Sequence, residues 1–303
     1  MKVSFSRILC TTDLSDYSNQ GLSYGITLAQ EFDAQLYLCH VTHLPPVVIH
    51  DSALFYPSDT LSTIEKEADR KIRALMEGQS VNWQPLILKG PVADKISEVV
   101  IEKKIDLAIA ATHARTGLRR LFLGSVTESL MRTIPCPLLI VNPSDQSFHK
   151  QTSLSPEFRH ILVGCDFSSD SDSAVRYGLS LAQEFQAELH LVHVIEPAGY
   201  REDSKQDSMD YDLRRHLGKQ FIEELQELVP ADVRTWCEVR TACLAGRPHE
   251  ELTKYAILND IDLIILGIRG HGLMETMLLG STTDRVIRQG ANPVLSVCPM
   301  PKH

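Results

Sequence analysis

The chain lacks the features that mark secreted and membrane proteins. Its first residues, MKVSFSRILCTTDLSD, include no apolar signal-peptide core, and none of its apolar runs approaches the length that crosses a bilayer. Its seven cysteines include no Cys-x-x-Cys pair, and their spacing with the histidines fits no zinc pattern. An odd number of cysteines without a secretion signal is typical of reduced thiols. We therefore expect a cytoplasmic protein that neither contains disulfides nor enters a membrane.

Positive charge is also scarce. The chain has 30 lysines and arginines against 39 aspartates and glutamates, which gives a net charge of -9. Sequence-independent binding to nucleic acids or anionic membranes is mostly electrostatic, so this balance argues against both as partners. The proportions of hydrophobic residues (43%) and charged residues (23%) are those of an ordinary globular protein.

What the chain does contain is an internal repeat. The stretch FSRILCTTDLSDYSNQGLSYGITLAQEFDAQLYLCHV at residues 5–41 realigns with FRHILVGCDFSSDSDSAVRYGLSLAQEFQAELHLVHV at residues 158–194. The later stretch IDLAIAATHARTGLRRLFLGSVTESLMRTIPCPLLIV at residues 105–141 realigns in the same way with residues 261–297. The repeat indicates two copies of one kind of domain.

The length and the pattern of each copy predict its boundaries and fold. A chain of 303 residues accommodates two domains of about 150 residues, and the polar, turn-rich segment 142–157 separates the copies. We therefore predict one domain over residues 1–146 and a second over residues 155–303. Short apolar runs such as ILVGC and LIILG alternate with amphipathic helical stretches, which predicts an α/β fold with a doubly wound parallel sheet.

Ligands of such sheets bind outside the carboxyl ends of the strands, so we look for function in the segments that follow strands. The first strand of each copy is followed by Asp-x-Ser, with Asp13 in the first copy and Asp166 in the second. This carboxylate could accept from a ribose hydroxyl or hold a phosphate-bound metal ion. The same triplet also makes an Asx-turn or a helix cap, and the sequence leaves both interpretations open. His40 and His193, which follow the second strand, are interpreted as structural residues.

The segment LGIRGHGLMETMLLGSTTDR at residues 266–285 is rich in glycine where a strand ends and a helix begins. Gly270 permits a positive φ angle or a close approach of the backbone to a ligand. Gly280 precedes Ser281, where a helix is predicted to start. A helix start offers unpaired N–H groups and the positive end of the helix dipole, which suits a phosphate.

The helix start also has an interpretation that needs no ligand. Ser281 and Asp284 could cap the helix, and Ser125 with Glu128 would form a capping box at the equivalent place in the first copy. Capping and phosphate binding use the same N–H groups, so the sequence does not exclude either. Neither the Walker pattern nor the Rossmann glycine pattern fits the segment.

Taken together, these features resemble the universal stress protein family. Its nucleotide-binding members carry G-x-x-G, nine residues, and then G-[ST], and the residues from Gly267 to Ser281 match this motif in full. The acidic turn, the LHLVHV strand, the glycine motif and the closing PVLSV strand follow in the family's order, so the resemblance covers essentially the whole chain. It implies five-stranded domains that bind ATP, with or without Mg²⁺, across the strand ends.

The resemblance also implies particular roles for residues of the second copy. Asp166 would lie near the ribose or a metal ion, and the backbone of Val194 would contact the adenine. The residues around the ribose and the phosphates would be Gly267, Arg269, Gly270, Gly280, Ser281, Thr282 and Thr283. The weaker candidates in the first copy are Asp13, Val41, His113, Gly124 and Ser125.

The first copy departs from the motif at two of its glycines. Ala111 and Ala114 stand where the second copy has Gly267 and Gly270. Two added methyl groups at places of close backbone approach should obstruct a ligand, and alanine disfavours a positive φ angle. We therefore expect the first copy to keep the fold and to bind ATP weakly or not at all.

These observations favour an ATP-binding stress or signalling module with little turnover. A slow ATP hydrolase or phosphoryl-transfer enzyme using the same pocket is the alternative, although no catalytic base is evident. A tandem scaffold that binds no nucleotide is a third possibility. Members of the family commonly pair through their last strands, so residues 137–141 and 293–297 are expected to form an intramolecular pseudo-dimer, with further association of chains left open.

Overall fold

The structure is a computed structural model of the chain. It describes residues 3–42, 47–49, 52–54, 58–112, 124–142, 156–196, 211–268 and 280–298. Contacts among Cα atoms divide the chain into two compact units. One holds the described residues between 5 and 142, and the other holds those between 157 and 298. The domain limits predicted from the sequence stay predictions.

The first unit alternates strands and helices along the chain. Its strands are β1 (Arg7–Thr11), β2 (Gln35–Thr42), β3 (Val47–Ile49), β4 (Ser52–Leu54), β5 (Trp83–Lys89), β6 (Leu107–Ala111) and β7 (Leu138–Val141). Its helices are α1 (Asp16–Glu31), α2 (Ser58–Leu75), α3 (Val92–Glu102) and α4 (Ser125–Thr133). β3 and β4 form a separate antiparallel hairpin. The other five strands form a parallel sheet in the order β5-β2-β1-β6-β7.

The second unit has the same strand order. Its strands are β8 (His160–Gly164), β9 (Glu188–Ile195), β10 (Val239–Ala245), β11 (Leu263–Gly267) and β12 (Val294–Val297), parallel throughout and ordered β10-β9-β8-β11-β12. Its helices are α5 (Ser169–Phe185), α6 (Tyr211–Glu227), α7 (Pro248–Leu258) and α8 (Ser281–Gln289). No helix within the described residues is long and apolar enough to cross a membrane.

Helices cover both faces of the second unit's sheet, which explains why its strands are apolar without alternation. The connections from β8 through β9 to β10 run in one direction across the sheet, and those from β10 through β11 to β12 run in the other. Right-handed crossovers therefore place α5 and α6 on one face and α7 and α8 on the other. In agreement, α5 packs on β8 and β11, while α7 packs against α8. The predicted doubly wound fold is confirmed.

Residues that are identical in the two copies make equivalent core contacts in each unit. The rings of Phe5 and Phe32 lie 5.0 Å apart in the first unit, and those of Phe158 and Phe185 lie 4.7 Å apart in the second. Each pair joins the segment before the first strand to the end of the first helix. The repeated sequence therefore specifies a repeated core.

The cysteines act mainly as core residues. All seven are free thiols. Cys10, Cys39 and Cys165 are buried, and burial raises the pKa of each thiol to about 12. These three cysteines are small hydrophobic residues of the core, whereas Cys298 is only partly buried.

Candidate functional site

The carboxyl ends of β8 and β11 lie side by side at the centre of the second unit's sheet. Ile265 on β11 is opposite Val163 on β8, so Gly267 ends β11 beside Cys165, directly after β8. β9 and β10 lie on one side of this pair of strand ends and β12 on the other, so the strand order reverses here. Ligands of open α/β sheets bind at such a reversal. The crevice between β8 and β11 is therefore the candidate site.

A tight acidic turn connects β8 to α5 at this crevice. Asp166 Oδ1 accepts hydrogen bonds from Ser168 N at 3.0 Å and from Ser168 Oγ at 2.5 Å. Ser168 is the N-cap of α5, and its Oγ accepts from Ser171 N at 3.2 Å. Phe167 takes a left-handed backbone with φ of 60° to close the turn. These bonds match the interpretation of the triplet as an Asx-turn followed by a helix cap. The side chain of Asp166 is half-buried.

The first unit builds the same turn. Asp13 Oδ1 accepts from Ser15 N at 3.0 Å and from Ser15 Oγ at 2.6 Å, and Leu14 has φ of 65°. Ser15 caps α1 by accepting from Ser18 N. The turn is thus part of the fold that both units share, and it does not by itself distinguish a binding site from a degenerate one.

β9 extends beyond the end of β8 at Val194. The β8 register ends with Gly164 opposite Val192, and Cys165 N donates to Val192 O at 2.8 Å. Successive residues of a parallel strand direct their peptide groups to alternate sides, so Val194 directs its N–H and C=O to the same side as Val192. On that side β8 has already turned into α5. Val194 therefore presents backbone groups to the crevice, and Val41 has the equivalent place after β1.

The histidine before this position supports the turn. His193 Nδ1 donates to the Cys165 carbonyl oxygen at 2.8 Å, and His40 Nδ1 donates to the Thr12 carbonyl oxygen at 2.9 Å in the first unit. Each bond ties the second strand to the residue that follows the first strand. The interpretation of both histidines as structural residues is confirmed.

An aromatic cluster beside Val194 was not anticipated from the sequence. The ring of His193 lies 5.0 Å from that of Phe167 and 4.4 Å from that of Phe221, and the two phenylalanine rings are stacked at 5.7 Å. All three side chains are partly exposed. Phe167 could have been noticed because it directly follows Asp166, but no sequence pattern fixes which residue of α6 reaches it.

Gly267 is required by helix packing. A Cβ atom at this position would lie 2.8 Å from Asp170 Cβ and 2.9 Å from the Asp170 carbonyl carbon, both in the first turn of α5. The first unit has Ala111 at the equivalent place, and a Cβ added to Gly21 of α1 would meet Ala111 Cβ at an ordinary contact distance of 3.6 Å. Gly267 therefore has a packing role that the sequence did not predict, because it lets α5 approach the end of β11. Its place beside a ligand stays a prediction.

The start of α8 carries no side-chain cap. Its N-cap is Gly280, and Ser281 is an exposed residue of the first turn, followed by the half-buried Thr282. Asp284 pairs with Arg288 at 2.9 Å. The prediction that Ser281 and Asp284 cap the helix is wrong, because glycine occupies the cap position. The first N–H groups of α8 thus have no competing side-chain acceptor at the cap.

The start of α4 in the first unit is built in the same way. Gly124 is its N-cap, no side chain caps it, and Ser125 follows as an exposed first-turn residue. Glu128 forms an ion pair with Arg132 at 3.1 Å instead of reaching back to the cap. The predicted capping box of Ser125 and Glu128 is therefore wrong for the same reason.

Thr283 differs from the two residues before it. Its side chain is buried, and its Oγ1 donates to the Gly267 carbonyl oxygen at 2.8 Å. Its hydroxyl proton is thus directed at the protein rather than at the crevice.

Four of the motif positions lie outside the described residues. They are Arg269 and Gly270 in the second unit and His113 and Ala114 in the first. The described candidates of the second unit converge on the crevice from three sides. Asp166 follows β8, Val194 lies on the extended end of β9, and Gly267 joins the start of α8 through Thr283.

Comparisons with known proteins agree with this architecture. The family model described as "Universal stress protein family" matches residues 4–142 and again residues 157–297. A universal stress protein of Mycolicibacterium smegmatis is 27% identical over 306 residues, which cover 96% of this chain and 97% of that protein. Universal stress protein MJ0531 of Methanocaldococcus jannaschii is 33% identical over 139 residues, covering 45% of this chain and 82% of that protein.

A solved structure shows the same fold. The crystal structure of a universal stress protein from Archaeoglobus fulgidus matches with a TM-score of 0.71 at 20% identity, and the match covers 99% of this chain and 98% of that one. The family model fits both halves of the chain, and the relative from Mycolicibacterium smegmatis is matched over nearly its full length. The chain therefore belongs to the universal stress protein family and carries two of its domains in tandem.

Proposed function

We propose that the second unit binds ATP and that occupancy of this site, rather than turnover, is the signal that the protein gives in a stress response. The observation that carries the proposal is the start of α8. It is a helix N-terminus without a side-chain cap, held beside the crevice where the strand order of the sheet reverses. Both features favour a phosphate-bearing ligand.

The residues around the crevice suit the parts of such a ligand. The N–H groups of Ser281 and Thr282 would hold the phosphates, together with Arg269 and Gly270 of the glycine motif. The backbone N–H and C=O of Val194 match the alternating donor and acceptor edge of adenine. Asp166 supplies a carboxylate for a ribose hydroxyl or for Mg²⁺, which in nucleotide sites is held by phosphates and one or two carboxylates.

The choice of the second unit rests on the glycine motif. The described backbone of the first unit repeats the acidic turn and the helix start, with Asp13, Val41, Gly124 and Ser125 in place. The motif differs at Ala114, which stands where the second unit has Gly270. Glycine at this position would leave room for the phosphates, and alanine would obstruct them. This difference would explain why only one unit has a competent site.

The site is better suited to binding than to hydrolysis. Asp166 is anchored in its own turn by two bonds from Ser168, so it is placed to orient a ligand rather than to move toward a reacting atom. Membership of the family supports three further proposals: an adenine nucleotide as the ligand, a cytoplasmic location, and pairing of the last strands within one chain. This pairing and any association of chains stay predictions.

The variant Asp166→Asn tests the proposal directly. Asparagine keeps an Oδ1 acceptor for Ser168, so the turn and the cap of α5 should survive, but the negative charge is lost. We expect the affinity for ATP in the presence of Mg²⁺ to fall by about 10- to 100-fold, as for loss of a charged hydrogen-bond partner. Titration calorimetry of the full chain measures it, and thermal unfolding checks that the fold is kept.

The first unit provides a matched control for this variant. Asp13→Asn alters the same atom in the same turn, and it should leave the ATP affinity unchanged. Equal losses in both variants would point to two sites, and no loss in Asp166→Asn would remove Asp166 from the site. A steady-state phosphate-release assay on the same samples measures turnover, which the proposal expects to be slight.

A further inference from the structure

The buried hydroxyl of Thr283 joins the end of β11 to the first turn of α8. The side chain is 3% exposed, and Val286 and Ile287 beside it on the helix are also buried. Its Oγ1 donates to the Gly267 carbonyl oxygen at 2.8 Å. A hydroxyl in such surroundings is stable only when it is hydrogen-bonded, so this bond fixes the orientation of the side chain.

A backbone bond lies next to this contact. Gly280 N donates to the Ile268 carbonyl oxygen at 2.7 Å, and Ile268 N donates to the Val297 carbonyl oxygen at 2.8 Å. Two consecutive carbonyl groups, those of Gly267 and Ile268, therefore accept from the start of α8. We call the bonds from Thr283 Oγ1 and Gly280 N the strand–helix clamp.

The first unit has the residues for such a clamp but does not form it. Thr127 is the equivalent of Thr283 and is 4% exposed. Within the described residues, Thr127 makes no bond to the Ala111 carbonyl oxygen, and Gly124 N makes none to Thr112. The side-chain hydroxyl of Thr112, which Ile268 lacks, donates to Asn142 Oδ1 at 3.1 Å. The clamp is thus a difference in hydrogen bonding between two units of the same fold.

We propose that Thr283 is a positioning residue for the nucleotide site. It holds the start of α8 against the end of β11, so that the N–H groups of Ser281 and Thr282 keep a fixed place at the crevice before the ligand arrives. Preorganised donors bind more tightly because no ordering cost is added on binding. This inference rests on the proposed function, and it assigns Thr283 a contact with the protein rather than with ATP.

The chemistry of the side chain makes the inference specific. Thr283→Val keeps the shape and volume of the side chain but leaves the Gly267 carbonyl oxygen without this donor. Thr283→Ser keeps the hydroxyl and removes only a methyl group. A role in packing alone would make serine the more harmful change, whereas the clamp makes valine the more harmful one.

Titration of the full chain with ATP and Mg²⁺ tests the inference. We expect Thr283→Val to lower the affinity by about 5- to 10-fold, the equivalent of one hydrogen bond, and Thr283→Ser to stay within about twofold of the parent. Thr127→Val is the matched control, and it should leave the ATP affinity unchanged because it lies in the unit that is proposed not to bind ATP. If the valine variant does not fold, Thr283→Ala replaces it.

A second readout needs no nucleotide. Exchange of the Gly280 amide proton, followed by NMR in the free protein, should be faster in Thr283→Val than in the parent and in Thr283→Ser. This inference alone is overturned if the parent protein binds ATP and Thr283→Val binds it equally tightly, with unchanged exchange of the Gly280 amide proton. A parent that binds no ATP would overturn the proposed function and with it the positioning role.

Discussion

Ser281→Asp should abolish ATP binding while leaving the protein folded. Ser281 is exposed in the first turn of α8, directly after the N-cap Gly280. A carboxylate there interacts favourably with the helix dipole, so the helix itself should be slightly stabilised. The same carboxylate occupies the place proposed for the phosphates and repels them. We expect the affinity to fall by at least about 100-fold, or about 2.8 kcal/mol.

The first unit again offers the matched variant. Ser125 is also an exposed first-turn residue behind a glycine cap, so Ser125→Asp introduces the same charge into the same local structure. Titration calorimetry should show normal ATP binding for Ser125→Asp. Normal binding by Ser281→Asp would show that the start of α8 does not receive the phosphates, whatever else the second unit binds.

Gly267→Ala should destabilise the second unit. The new Cβ would lie 2.8 Å from Asp170 Cβ, 2.9 Å from the Asp170 carbonyl carbon and 3.1 Å from Ser171 N. Two of these atoms belong to the backbone of α5, so the helix itself must move. Forced overpacking of this kind lowers the free energy of unfolding by about 1–3 kcal/mol. The displacement would also disturb the turn at Asp166, so ATP binding should weaken.

This effect can be measured in the second unit by itself. Trp83 lies in the first unit and Trp236 in the second, so urea unfolding in a Trp83→Phe background follows the second unit by the fluorescence of Trp236. Gly218→Ala in α6 is the control, because a Cβ there meets nothing within 4 Å. It should raise the free energy of unfolding by up to about 1 kcal/mol, as expected for alanine over glycine in a helix. A neutral Gly267→Ala would contradict the packing explanation.

The sequence predicted the fold because the internal repeat and the strand pattern carry the same information twice. Apolar runs such as LIILG are uninterrupted because helices cover both faces of the sheet. Such runs are evident from the sequence alone. The acidic turn at Asp166 was likewise readable, since its hydrogen bonds join residues two positions apart. Local geometry of this kind depends little on the rest of the molecule.

The reasons behind the glycine motif were not readable in the same way. Gly267 contacts Asp170, which lies about a hundred positions away in the chain, and no local pattern announces that approach. The capping prediction for Ser281 failed because serine is a common N-cap, and only the backbone shows that Gly280 holds this place. A threonine stands at the same position of both copies, Thr283 and Thr127, but only Thr283 bonds to the end of its strand, so the sequence does not reveal the clamp.

Titration of the parent chain with ATP in the presence of Mg²⁺ tests the central claim most directly. The account predicts binding of one ATP per chain, at a site that Ser281→Asp removes and Ser125→Asp preserves. Binding of two ATP molecules per chain, loss of the site in Ser125→Asp instead, or no binding at all would contradict it.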